Sequence, residues 1–194
     1  MDANTASSPK SKRRSPITRE VGEQRLVNAT LELLRERPMG EIGVRDIAAR
    51  ADVNHGFVHV WFGGKTQLLT RAMRELTSQV SAQVANAPAG TLVARPFDPE
   101  VALLVRLVMW ITLDSGQVPD MSDMPVIATL TERYETTEGM RPDVASMAAK
   151  QAVALVVASA MYGPLIGVNS NDDALAMFGL WRHIVGLLGQ YPPA

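Results

Sequence analysis

The chain has 194 residues, with 19 Lys and Arg against 20 Asp and Glu and no Cys. That length suits one domain, or a small domain joined to a larger one, and buries a core without disulfides or metal. The absence of Cys excludes a disulfide scaffold, a Cys-ligated zinc module and thiol catalysis, and a hydrophobic share of 46% excludes a disordered chain.

Residues 1–16 are polar, without the apolar run a secretory signal needs. They are expected to form a disordered basic arm carrying Lys10, Lys12, Arg13 and Arg14. Thr18 suits an N-cap, with Glu20 in the first turn, and Leu26, Thr30, Leu33 and Leu34 follow helical spacing. Pro38 stops this helix and Met39-Gly40 turn the chain. A short helix from Val44 to about Ala51 places Val44, Ile47, Ala48 and Ala51 on one face, and Asp52 breaks it. Asn54 caps a further short helix through about Phe62, ended by Gly63-Gly64. A longer helix runs from about Lys65 toward Ala85. Residues 86–99 hold three Pro and one Gly and form a loop. Helical patterns resume near 99–115, 124–137, 143–166 and 172–190. No segment alternates long enough for a strand, so the expected class is all-α, with about nine helices.

Charge divides unevenly. Residues 1–74 hold 13 basic and 8 acidic residues, a net +5; residues 75–194 hold 6 and 12, a net −6. An anionic partner is expected for the first part only. Two short helices joined by a tight turn at 44–62 describe a helix-turn-helix, in which the first helix holds the second for entry into the DNA major groove. Val53 plugs the turn, and Val58 and Phe62, four apart, anchor the second helix. Arg45 can reach a base edge or phosphate. His55, Gly56 and His59 lie outward, and Gly56 allows close backbone approach. Lys65, at a helix start, suits a phosphate; the bland alternative is a solvated Lys. His55 and His59 are spaced for a metal, but no Glu or third ligand accompanies them, so neither metal nor cofactor is expected. The arm with Arg13 and Arg14 suits the minor groove about as well as free solvent.

The stretch Leu26–Leu69 resembles the TetR (tetracycline-repressor) family of bacterial transcription regulators. Leu26 to Leu34 resembles the family's first helix, Val44 to Ala48 its second, and Val53 to Phe62 followed by Lys65 and Leu68 its recognition helix and the start of its fourth. Asp52 and Pro38 stand where Gly is usual, and Phe57 and His59 where Thr and Tyr are frequent. Asp tolerates the left-handed backbone needed at position 52. Phe57 cannot bond a phosphate but can touch a thymine methyl.

The resemblance implies a helix-turn-helix DNA-binding domain at 17–64 and a ligand-binding and dimerisation domain at 65–194. It implies a homodimer on palindromic double-stranded DNA, most simply a repressor released by a small effector. Asn54, His55, Gly56, Phe57, His59, Arg45 and Lys65 are the expected DNA contacts. Leu155, Ala158, Leu165, Phe178, Trp181, Ile184, Leu187 and Leu188 on the last two long helices are candidates for the dimer interface, with an intrachain core as the alternative. Met109, Trp110, Leu113, Met121, Met124, Tyr134, Met147, Met161 and Tyr162 are candidate linings of an apolar or amphipathic effector pocket, or plain core. The apolar stretch Ala152–Val168 is shorter than the roughly 20 residues of a membrane span, so a cytoplasmic protein is expected. No catalytic constellation is present, so no enzyme is expected. A helical adaptor or ligand-binding protein without sequence-specific DNA binding is the rival reading.

Overall fold

The computed structural model describes residues 18–88, 95–117, 119 and 125–188, without the side chains of 182, 185, 186 and 188. Among these the chain folds into eight helices and no strand. They are α1 (Arg19–Glu36), α2 (Val44–Ala51), α3 (Val58–Phe62, wound in wider π-type turns), α4 (Lys65–Asn86), α5 (Pro99–Ser115), α6 (Pro125–Glu138), α7 (Pro142–Tyr162) and α8 (Asn171–Leu188). Two 3-10 turns, Met39–Glu41 and Gly163–Ile166, complete the described helical structure. About nine helices were expected and eight are seen among the described residues; the turn at 163–166 continues α7, within the single stretch read at 143–166.

Local chemistry sets these boundaries. The Thr18 side chain accepts from the Val21 N–H at the start of α1. Asp46 accepts from the Gly43 N–H at 2.8 Å, which satisfies a backbone donor before α2. Asp52 ends α2 at φ 55° and ψ 43°, in the left-handed region. The next residue, Val53, donates its N–H back to the Ala48 carbonyl at 3.0 Å, closing the turn by which the chain leaves α2.

One hydrophobic core joins α1 to α5. Leu26, Val27, Leu33, Ile42, Ile47, Ala48 and Val58 are buried with Leu68, Leu69, Ala72, Met73 and Leu76 of α4 and Leu103, Leu107 and Ile111 of α5. The buried hydroxyls of Thr30 and Thr77 donate to the Leu26 and Met73 carbonyls, so neither is orphaned. The boundary expected at Gly64 therefore falls inside a continuous core. A smaller cluster of Val84, Val126, Leu130 and Ala149 ties the far end of α4 to α6 and α7.

Helix α7 with its 3-10 extension, Pro142–Ile166, is long and apolar enough, by length and composition only, to cross a membrane. The uncharged stretch read from sequence, Ala152–Val168, is shorter because Asp143 and Lys150 stand in the turns of α7 before it. Ala145, Ala148, Ala149, Ala152 and Ser159 are its buried side. Much of its opposite side is open.

Candidate nucleic-acid interface

The turn and α3 place a row of side chains on the surface. Val58 is fully buried, and Trp61 and Phe62 pack against the α1–α5 core. Asn54 uses its side-chain oxygen to accept from the Gly56 N–H at 2.8 Å, and its carbonyl accepts from Phe57. That capping role leaves its amide nitrogen at the surface. His55 and His59 are exposed. Phe57 lies flat on Trp61, with ring centroids 4.3 Å apart and planes 6° from parallel, yet remains 42% exposed. Val60, 73% exposed, was missed in the sequence reading; it lies between the inward anchors at 58 and 62, and helical spacing alone turns it outward.

Basic groups flank this row. Arg45 is exposed in the first turn of α2. Arg50 is committed elsewhere, bonded to Glu36 at 2.7 and 2.8 Å and more loosely to Glu32. Its hydrogen bonds hold the Glu36 carboxyl below its ordinary range. Lys65 starts α4 immediately after Gly63 (φ 87°) and Gly64 (φ 149°), two turns of backbone that a side chain would strain. Its ammonium lies 5.1 Å from the centre of the Trp110 ring. One residue on, the Thr66 hydroxyl donates to Asp114 at 3.1 Å. Arg13 and Arg14 lie outside the described residues.

Among the described residues, the expected pocket residues lie in different surroundings. Trp110 belongs to the α1–α5 core and faces Lys65, whereas Tyr134 packs on the cluster at the far end of α4. Met109 and Met161 are half-buried, Leu113 is 77% exposed, and Met147 and Tyr162 are exposed as well. A solvent-facing side chain cannot line an enclosed cavity of the protomer. Met121 and Met124 lie outside the described residues. Arg133 of α6 donates to the Ala87 and Pro88 carbonyls at the C-terminal end of α4, where the helix dipole favours a cation.

On α7 and α8, Ala158, Leu165, Ile184 and Leu187 are exposed, Leu155 and Trp181 are half-buried, and the Leu188 side chain lies outside the described residues. Ile166 and Leu180 add to this apolar surface. Phe178 differs: at 1% exposure it is turned into its own protomer, edge-on to Trp181. Trp181 donates its indole N–H to Gln151 on α7 at 3.3 Å. Among the described residues no three His, Asp or Glu side chains gather as a metal site.

Comparison with known proteins places this geometry. Residues 26–72 match the family model of bacterial regulatory proteins, tetR family. The chain is 27% identical over 169 residues to the HTH-type transcriptional repressor Rv3405c of Mycobacterium tuberculosis, covering 84% of this chain and 85% of that one. A transcriptional regulator structure from Rhodococcus sp. RHA1 aligns with a TM-score of 0.59 at 17% identity, over 88% of this chain and 96% of that chain. A TetR-family regulator from Streptomyces coelicolor aligns with a TM-score of 0.54 at 20% identity, over 85% and 98%. The matched span runs past Gly64 into α4, as the shared core does.

Proposed function

We propose that this chain, which matches the tetR-family model over residues 26–72 and is 27% identical to a mycobacterial repressor, is a TetR-family regulator: a cytoplasmic homodimeric repressor of a palindromic operator, released by a small apolar or amphipathic effector. The observation that carries the DNA reading is α3. Its inward side is held by Val58 and Phe62, while His55, Phe57, His59 and Val60 stand exposed together. Arg45 and Lys65 flank the row, placed for phosphates on either side of a groove.

A single helix-turn-helix covers few base pairs, so two copies a DNA turn apart, or a multiple of it, are needed for usable specificity. The exposed apolar side chains of α7 and α8 favour these helices as the dimer contact: Leu165 alone is 82% exposed, and apolar surface of this extent on a soluble chain marks an interaction site. Division of labour follows the core: 17–64 with the first turns of α4 bind DNA, and the remaining helices dimerise and sense.

Repression and release need two states with different operator affinity. In this reading the effector acts through α4, whose two ends are tied to α5 and α6. Selection of bound duplexes from a random pool tests the reading. Enrichment of an inverted repeat with half-sites about one DNA turn apart, or a multiple, is expected. Binding that is absent, or insensitive to salt, refutes it.

A further inference from the structure

The recognition segment carries an unusual set of side chains for reading DNA. Residues 55–62 are His-Gly-Phe-Val-His-Val-Trp-Phe. None is Arg, Lys, Asn, Gln, Asp or Glu, the side chains that read guanine, adenine or cytosine edges by hydrogen bonding. The two His rings offer single donors or acceptors. What the segment does present is apolar: Val60 at 73% exposure and Phe57 at 42%. Stacking on Trp61, which is itself packed against the core, favours this position of the Phe57 ring. Gly56, at the base of this surface, has no side chain to hold the backbone off, and its N–H is already committed to Asn54.

In the major groove one base feature answers such a surface: the 5-methyl group of thymine. We infer that this protein reads its operator chiefly through thymine methyls, packed against Phe57 and Val60, with the two His residues and the flanking Arg45 and Lys65 supplying orientation. The inference rests on the operator reading above and names the base class that the same surface selects.

The test keeps the two readings apart. The full-length protein first selects duplexes from a random pool, and each thymine of the enriched half-site is then replaced singly by deoxyuridine, which deletes the methyl and leaves base pairing intact. Burial of one methyl corresponds to about fourfold in affinity, so a loss of about fourfold is expected at one or more thymines. Val60→Ser and Phe57→Leu should abolish or shrink that thymine-to-uracil ratio at their own positions, with the salt dependence unchanged. Both side chains are exposed, and a thermal melt confirms that the variants fold. An enriched site in which every uracil is tolerated overturns the methyl readout and leaves the operator reading standing. So does discrimination that survives both substitutions. A pool with no enriched sequence overturns both.

Discussion

Replacing Lys65 by Met separates two roles that the structure gives to one ammonium. The side chain starts α4 beside the recognition segment and lies 5.1 Å from the Trp110 ring centre. If it neutralises one phosphate per protomer, its loss lowers the slope of log affinity against log salt by about 0.9 per protomer, hence about 1.8 per dimer. Between about 50 and about 200 mM salt, wild-type affinity then falls roughly 12-fold more than that of the variant. The contact with Trp110 contributes differently. A cation–π pair at a partly exposed site is worth about 0.5–1 kcal/mol, and Trp110→Leu removes it while keeping the charge. That variant keeps the ammonium, so its salt slope should be unchanged and any loss of affinity, from poorer placement of the charge, should stay within about fivefold per protomer. Fluorescence titrations of both variants at four salt concentrations distinguish these outcomes. An unaltered slope in Lys65→Met refutes the phosphate contact, and a slope lowered equally by Trp110→Leu refutes the separation.

Four further outcomes are expected. Leu187→Asp places a charge in the proposed α7–α8 interface and should give folded monomers with poor operator affinity; an undiminished dimer in sedimentation moves the interface elsewhere. Phe178→Ala, by contrast, should cost about 3–5 kcal/mol of stability in denaturant unfolding, because that ring is buried within its own protomer; a loss under about 1 kcal/mol, as for an exposed site, contradicts the placement. Arg35 bonds Glu100 at 2.8 and 2.9 Å and thereby holds its carboxyl below the ordinary range. The pair's stabilisation is complete above the unfolded carboxyl's pKa of about 4.3 and is lost as pH falls through the lower folded value. Glu100→Gln should therefore flatten that acid limb, at a cost near neutral pH of no more than about 1 kcal/mol for a partly exposed pair, and an unchanged acid limb in thermal melts argues against the tie. An apolar ligand found by thermal shift should weaken operator binding by roughly 5–150-fold; ligands that bind without changing DNA affinity remove the sensor role.

The sequence made the helix-turn-helix legible because each of its boundaries has a local cause. Thr18, Pro38, Asp52 and Gly63-Gly64 act within a few residues of where they stand, and the spacing of Val58 and Phe62 needs no partner to be read. Val60 carried the same kind of signal, but an apolar residue between two core anchors reads as more core. The pocket and interface candidates were less legible for a physical reason. A Met or Leu at helical spacing declares that a face is apolar without saying what covers it. Trp110 and Tyr134 both looked like lining, yet one closes the core under Lys65 and the other packs at the opposite end of α4. Phe178 and Leu187 lie on one helix and look alike in sequence, but one faces its own chain and the other faces outward. Tertiary packing, not sequence spacing, separates them.

Under the proposed function, that opposition along α4 gives an effector a route to the DNA-binding helices. The helix has 22 residues, so it is about 33 Å long. Its first turn is tied to α5 through Lys65 with Trp110 and Thr66 with Asp114; its last carbonyl region is tied to α6 through Arg133. Between these ties Leu68, Leu69, Ala72, Met73 and Leu76 share a core with α1 and α2. Packed interiors transmit displacement rather than absorb it. A shift of α6 that carries Arg133 with it must therefore tilt α4 or break the cap, and a tilt moves the helix-turn-helix as one body because they share that core. Arg133→Met removes the cap without touching the core or the DNA-facing row. It should leave operator affinity in the absence of ligand nearly intact and reduce the ligand's effect upon it, a difference read by titrating DNA with and without saturating ligand. Full release in that variant would show that the signal enters through the α5 end alone.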